Sequence, residues 1–323
     1  MSNTTPRRVV SLLPAATEIV ALLGASDALV GITHECDYPD IVGSRARVTR
    51  SNIPSHPLSG DDATQHHAGV GTHSDPATID AAVRELSHGG LPLFALDEAR
   101  IRALHPDVLL TQALCDVCAV SEHDVRALAA ALSPTPSVVT LGGNTIEGIF
   151  SDIERVAAAL HAESEAEELL AGLRARITHV HDTLKAARAP RPRAALIEWT
   201  SPVYLAGHWG PEQIKRAGGI DTLGTAGAHS VTVHISALTA SEPEFVFIAP
   251  CGYSLSAAAT EAEQLLRHAD WQWLAGKQVW ALDANGLVSR PGPRVVDGIE
   301  AMARVMNPQL FTALDPHHAK RVQ

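Results

Sequence analysis

All four cysteines of the chain lie in three short segments: Thr33-His34-Glu35-Cys36-Asp37, Leu114-Cys115-Asp116-Val117-Cys118 and Pro250-Cys251-Gly252. A Cys-x-x-Cys pair lets two sulfurs reach one metal ion, or form a redox couple. One such pair alone is a weak signal. Cys36 and Cys251 strengthen it, because with Cys115 and Cys118 they complete the four-thiolate donor set of a zinc site or an iron–sulfur cluster. His34 and Glu35 add a nitrogen and an oxygen donor next to Cys36. The ordinary alternative carries equal weight: a cysteine packed as a small buried hydrophobe.

A second set of residues suits a different chemistry. Aromatic residues make up only 4% of the chain, yet Trp199, Tyr204 and Trp209 fall within one segment that also holds His208. Flat rings so concentrated stack on a planar, π-rich ligand, and the imidazole offers a donor to a metal centre. Arg290 and Arg294, set among Pro291, Gly292 and Pro293, present guanidinium forks for carboxylates, phosphates or amide oxygens. The plainer roles are Trp199 filling a strand–helix seam, His208 donating one hydrogen bond, and the arginines closing a salt bridge within their domain. Between Ser55 and Ser74, His56, His66, His67 and His73 sit among Gly, Asp and Ser, a composition that reads as a surface insertion with adventitious metal affinity. Ser11 and Ser121 have no His and Asp at nucleophile spacing, and no glycine-rich phosphate loop occurs, so hydrolase and kinase chemistry find no support.

The elements that must position these residues alternate. Strands are expected over Val9–Leu13, Ala28–Ile32, Pro92–Ala95, Val108–Thr111 and Ser137–Leu141. Helices are expected over Pro14 or Ala15–Leu23, Pro76–Leu86, Glu98–Leu104 and Glu122–Leu132. Residues 145–187 lack proline, and Ile146, Ile149, Ile153, Val156, Leu160, Leu169, Leu173 and Ile177 recur at helical spacing. They predict one helix of some 40 residues, roughly 60 Å long at 1.5 Å per residue, with a break point near His161 to Ser164. After Pro190-Arg191-Pro192 the alternation resumes. Strands are expected at Ala194–Trp199, Phe245–Ala249 and Gln278–Leu282, and helices at Pro211–Ala217, Ile235–Ala240, Ala257–Leu266 and Pro293–Met306. Three of these strands end at a cysteine-bearing loop, where a parallel sheet places its ligand contacts.

At 323 residues, 46% hydrophobic and 19% charged, the chain has the length of two domains and enough apolar material for two cores. The expected class is α/β: two Rossmann-like lobes with largely parallel sheets joined by one long backbone helix. The expected domains are 7–143, the linking helix 144–188, and 192–310. A net charge of -11 without a basic stripe argues against nucleic acid. Arg7-Arg8 before Val9-Val10-Ser11-Leu12-Leu13 imitates a secretory leader, but Pro14, Thr17 and Glu18 interrupt it. No stretch reaches the ~18 apolar residues of a membrane span. These features lead us to expect a cytoplasmic protein with reduced cysteines and no membrane insertion.

Val-Val-Ser-Leu-Leu-Pro-Ala-Ala-Thr-Glu-Ile at residues 9–19, the long helical stretch, and Ser289-Arg290-Pro291-Gly292-Pro293-Arg294 resemble the helical-backbone class of solute-binding proteins, in particular its vitamin B12-binding branch. The similarity runs over about residues 7 to 310. It implies a non-catalytic protein that holds a bulky metal chelate, cobalamin or a related corrinoid, in a cleft between the lobes, and delivers it to an ABC importer. The lack of a recognisable leader points instead to a leaderless, cytosolic version and away from the importer. The resemblance does not account for the cysteine loops, so the rival expectation is a metalloprotein or enzyme with a cysteine-ligated zinc ion or iron–sulfur cluster in the same cleft.

Overall fold

The computed structural model describes residues 7–53, 75–114 and 120–323. The chain divides into two compact units, Met1–Gly143 with Glu147–Leu170, and Asn144–Ile146 with Ala171–Gln323.

Unit 1 contains β1 (Val9–Ser11), α1 (Pro14–Leu22), β2 (Leu29–Ile32), β3 (Ala46–Arg47), β4 (Thr49–Ser51), α2 (Pro76–His88), β5 (Phe94–Leu96), α3 (Glu98–Ala103), β6 (Val108–Gln112), α4 (Glu122–Ala130) and β7 (Ser137–Leu141), and most of α5 (Ile146–Leu160). Its main sheet has the order β3-β2-β1-β6-β7, parallel throughout. Parallel strands are covered on both faces, which is why β1 and β6 read as unbroken buried runs. One face packs Val10, Leu12, Ile101, Leu109, Val125 and Leu128 into a single core. Local signals place the helices. Pro14 opens α1 and Gly24 follows it at φ +73°; Asp97 and Ser121 accept backbone N–H bonds at the starts of α3 and α4.

The strand expected at Pro92–Ala95 is not part of this sheet. Phe94–Leu96 pairs antiparallel with β4 as a separate two-stranded ribbon, because β4 follows β3 after one residue and turns the chain off the parallel layer. The expected 40-residue helix is two helices, α5 and α6 (Glu163–Ala186). His161, at φ +58°, sits in the left-handed region and interrupts the hydrogen-bond ladder between them. Residues 147–170 belong to unit 1 and the rest of α6 to unit 2. In the turn before α5, the buried Asp152 carboxylate accepts from Gly142 N at 3.1 Å and Gly143 N at 2.7 Å. A Cβ on Gly143 would lie 2.4 Å from the Gly148 backbone, so only glycine fits there.

Unit 2 contains β8 (Arg193–Thr200), β9 (Val203–Leu205), α7 (Gly210–Arg216), β10 (Ile220–Asp221), β11 (Val231–Thr232), α8 (Ile235–Ala240), β12 (Phe245–Ile248), α9 (Leu255–Leu265), β13 (Gln278–Leu282), α10 (Ala284–Leu287), α11 (Val295–Met306) and β14 (Ala319–Arg321). Its seven-stranded sheet runs β11-β9-β8-β12-β13-β14, with β10 also on β8. The centre, β8-β12-β13, is parallel, whereas β9, β11 and β14 add antiparallel. Ala195, Ile197, Val246, Ile248, Leu274 and Val279 form the core on one face.

The C-terminal part of α6 is bound to α11 through Arg176, which donates from Nε to Glu300 Oε1 at 3.0 Å and from Nη2 to Asp297. Burial pushes the Glu300 carboxyl up, but hydrogen bonds and charge from Arg176 and Arg304 outweigh it and leave it below the usual glutamate range. A carboxylate held lower in the folded state stabilises at pH above its unfolded value, and that contribution is lost as pH falls through the folded one. Arg176→Met should therefore lower the urea midpoint at neutral pH and flatten its decline between about pH 5 and pH 3, read from urea titrations across that range.

Candidate functional site

Open parallel sheets take ligands at the carboxyl ends of their strands, where successive crossovers leave in opposite directions. In unit 1 that point lies between β1 and β6, and a recess opens beside it, lined by Leu12, Pro14, Thr33, His34, Glu35, Thr49, Phe94 and Val120. The loop after β2 is held firmly. Arg47 Nη1 donates to Thr33 O at 2.8 Å and Cys36 O at 2.5 Å, and Glu35 N donates to Thr33 Oγ1. The His34 ring is set by Thr49, with Nδ1 to Oγ1 at 2.7 Å, and lies 5.7 Å from the Phe94 ring.

Cys36 forms the floor beneath this loop. It is 1% exposed, with Sγ 3.0 Å from Thr17 Oγ1 and 3.2 Å from Thr33 Oγ1; Thr17 in turn donates to Ser11 Oγ. The thiol thus stands among hydroxyls as a small buried polar group. Cys251 is exposed, in the loop after β12. Cys115 and Cys118, and with them His56, His66, His67 and His73, lie outside the described residues. Among the described residues, no group of three or more His, Cys, Asp or Glu side chains is arranged to hold a metal ion.

In unit 2 the corresponding point lies between β8 and β12, and aromatic side chains gather there. Trp199 and Tyr204 are direct cross-strand partners of the β8–β9 hairpin, so their side chains share one face. The loop after β12 adds Tyr253, whose ring meets Trp199 edge-on at 5.9 Å. Tyr253 carries no motif, but its position two residues beyond Cys251 at a strand end is a signal that would have found it.

Trp209 occupies a different place from Trp199. At the start of α7 it is 5% exposed and donates from Nε1 to Val288 O at 2.7 Å. One turn further on, the buried Gln213 amide donates from Nε2 to Leu287 O at 2.8 Å and to Val295 O at 2.9 Å. The Ser289 hydroxyl accepts from Gly252 N. These bonds clip down the segment that carries both expected arginines. Arg290 is itself buried and Arg294 half-buried, and the Arg294 guanidinium stands beside the Asp283 carboxylate, both close to the space a Cβ on Gly286 would fill.

His208 joins β9 to α7 with its backbone at φ +50°. The strained turn is fixed by the irregular segment before β11: His208 N donates to Ala228 O at 2.6 Å, Gly227 N to His208 O at 2.8 Å, and Gly207 N to Ser230 Oγ. Burial, with the positive charge of His229 when protonated, holds the His208 imidazole below the ordinary histidine range. It is neutral at neutral pH.

A chain of two α/β units whose strand-end loops carry rings, imidazoles and guanidinium groups has the make-up of a solute-binding protein. The comparisons agree: the chain belongs to the periplasmic binding protein family, whose model matches residues 9–278. It is similar to the uncharacterized ABC transporter substrate-binding lipoprotein YvrC of Bacillus subtilis (strain 168), 19% identical over 95% of this chain and 82% of the relative. Among solved structures, a periplasmic heme binding protein from Pseudomonas aeruginosa shares the fold at a TM-score of 0.69, 20% identical over 98% of both chains. The periplasmic vitamin B12 binding protein BtuF of Vibrio cholerae does so at 0.61, 19% identical over 94% of this chain and 97% of that one. Among the described residues no helix is long and apolar enough to cross a membrane.

The bond from Trp209 to Val288 makes a direct forecast. Trp209→Phe keeps an aromatic ring but removes the donor to a buried carbonyl. It should cost about 1–3 kcal/mol in urea unfolding, whereas Trp199→Phe, whose Nε1 bonds only the Ser201 carbonyl of its own turn, should cost much less.

Proposed function

We propose that this protein binds a bulky planar metal chelate, a corrinoid such as cobalamin or a related tetrapyrrole, and performs no catalysis on it. The observation that carries the reading is the aromatic face of unit 2, where Trp199, Tyr204 and Tyr253 converge at the end of β8. Rings in that arrangement give a large contact area for little loss of side-chain freedom, and they stack on a flat macrocycle. The relatives named for heme and for vitamin B12 support the ligand class. The relative named as an ABC transporter substrate-binding lipoprotein supports delivery to an importer.

Within this reading the six expected residues divide by role. Trp199 and Tyr204 touch the ligand, Arg294 meets its polar periphery, and Trp209 holds the segment that carries the buried Arg290 and leads to Arg294. His208 follows β9, its ring 5.7 Å from that of Trp209.

Cyanocobalamin and hemin, titrated separately, should quench tryptophan fluorescence for at least one of the two. Trp199→Ala should weaken that binding by about 1–3 kcal/mol, the loss typical of a buried aromatic anchor. If calorimetry detects no heat of binding for either chelate at high micromolar concentration, the reading fails.

A further inference from the structure

We propose that His208 and His229 together form a binding site for a divalent transition-metal ion of the zinc class, separate from the chelate and independent of the function proposed above. Their rings meet edge to face with centroids 5.3 Å apart. Two imidazoles bound to one tetrahedral ion at about 2.1 Å hold their ring centres roughly 5 Å apart, so little movement brings both onto a shared metal.

Two further observations on His208 point the same way. Its Nε2 is buried and has no hydrogen-bond partner, although buried polar atoms are nearly always satisfied. Its backbone is also held in the left-handed region, a conformation that costs free energy in a non-glycine residue and clusters at ligand sites. Both features fit an imidazole kept in place to donate a lone pair. His229 is exposed, so it can turn toward the ion, and water fills the remaining positions. The ion would join the end of β9 to residues 227–230, which already lie on His208 and Gly207 through three hydrogen bonds. Metal would then lock this strap to the hairpin that carries Trp199 and Tyr204.

The test is calorimetry with zinc chloride on the full-length, metal-stripped chain, comparing wild type with His229→Gln, His208→Asn and the double variant. Asparagine tolerates the left-handed backbone and His229 is exposed, so each variant should keep the wild-type circular dichroism. Subtracting the variants from the wild type removes the contribution of other histidines and of the cysteines. Wild type should bind one zinc ion more than either single variant, and the double variant should lose no more than a single one, because both changes abolish one site. Equal zinc stoichiometry and affinity in all four proteins would overturn the proposal. So would losses that add in the double variant, since they would mean two unrelated ligands.

Discussion

Parallel pairing is the constraint on which the rest of this molecule depends. A strand that runs beside its predecessor in the same direction must be reached by a crossover, so every connection returns its loop to the same edge of the sheet. In unit 1 that rule brings Leu12, Pro14, Thr33, His34 and Val120 to one recess, although they are spread over more than a hundred residues of sequence. In unit 2 it brings the end of β8 beside the loop after β12, so that Trp199 meets Tyr253. The antiparallel hairpin of β8 and β9 then adds Tyr204 to the same face. No single motif encodes this gathering; the sheet order does.

The second layer of organisation is made of buried hydrogen bonds that hold loops which would otherwise be loose. Arg47 does this for residues 33–36 in unit 1, and Trp209 with Gln213 does it for residues 287–295 in unit 2. In both cases long side chains reach backbone carbonyl oxygens of a distant segment and hold it in place. Such bonds add little net free energy when made, but breaking one strands a buried acceptor. They therefore fix geometry more than they add stability, and fixed geometry is what a binding surface needs.

Much of this architecture was legible in the chain. The strands Ser137–Leu141 and Gln278–Leu282 and the helix Ile235–Ala240 fall where the apolar runs and their flanking Pro, Gly and Ser residues place them. Among the strands the failures share a cause: they are elements set by pairing and not by local pattern. Phe94–Leu96 is apolar enough for the parallel sheet, yet it is captured by β4. Val203–Leu205 follows a Ser-Pro turn and is strand only because β8 lies alongside. Ala319–Arg321, with one apolar residue in three, is strand only because β13 has an open edge. The site was legible in the same uneven way. Trp199 and Trp209 look alike in sequence, and what separates them is that the first ends a strand while the second starts a helix against α10 and α11. His229 and Phe94 gave no signal, because neither sits in a motif nor at the end of a strand in the parallel sheet.

Cys36 has a use that follows from its burial. Its thiol lies under the strand-end recess, shielded by Thr17 and Thr33, and a reagent in solution reaches it only when that floor opens. The rate at which Cys36 is alkylated, followed by mass spectrometry of its peptide, therefore measures the frequency of local opening at that position, on the same thermodynamic footing as amide exchange. The chain carries a native clock for fluctuations beneath the recess, readable without adding any label to the fold.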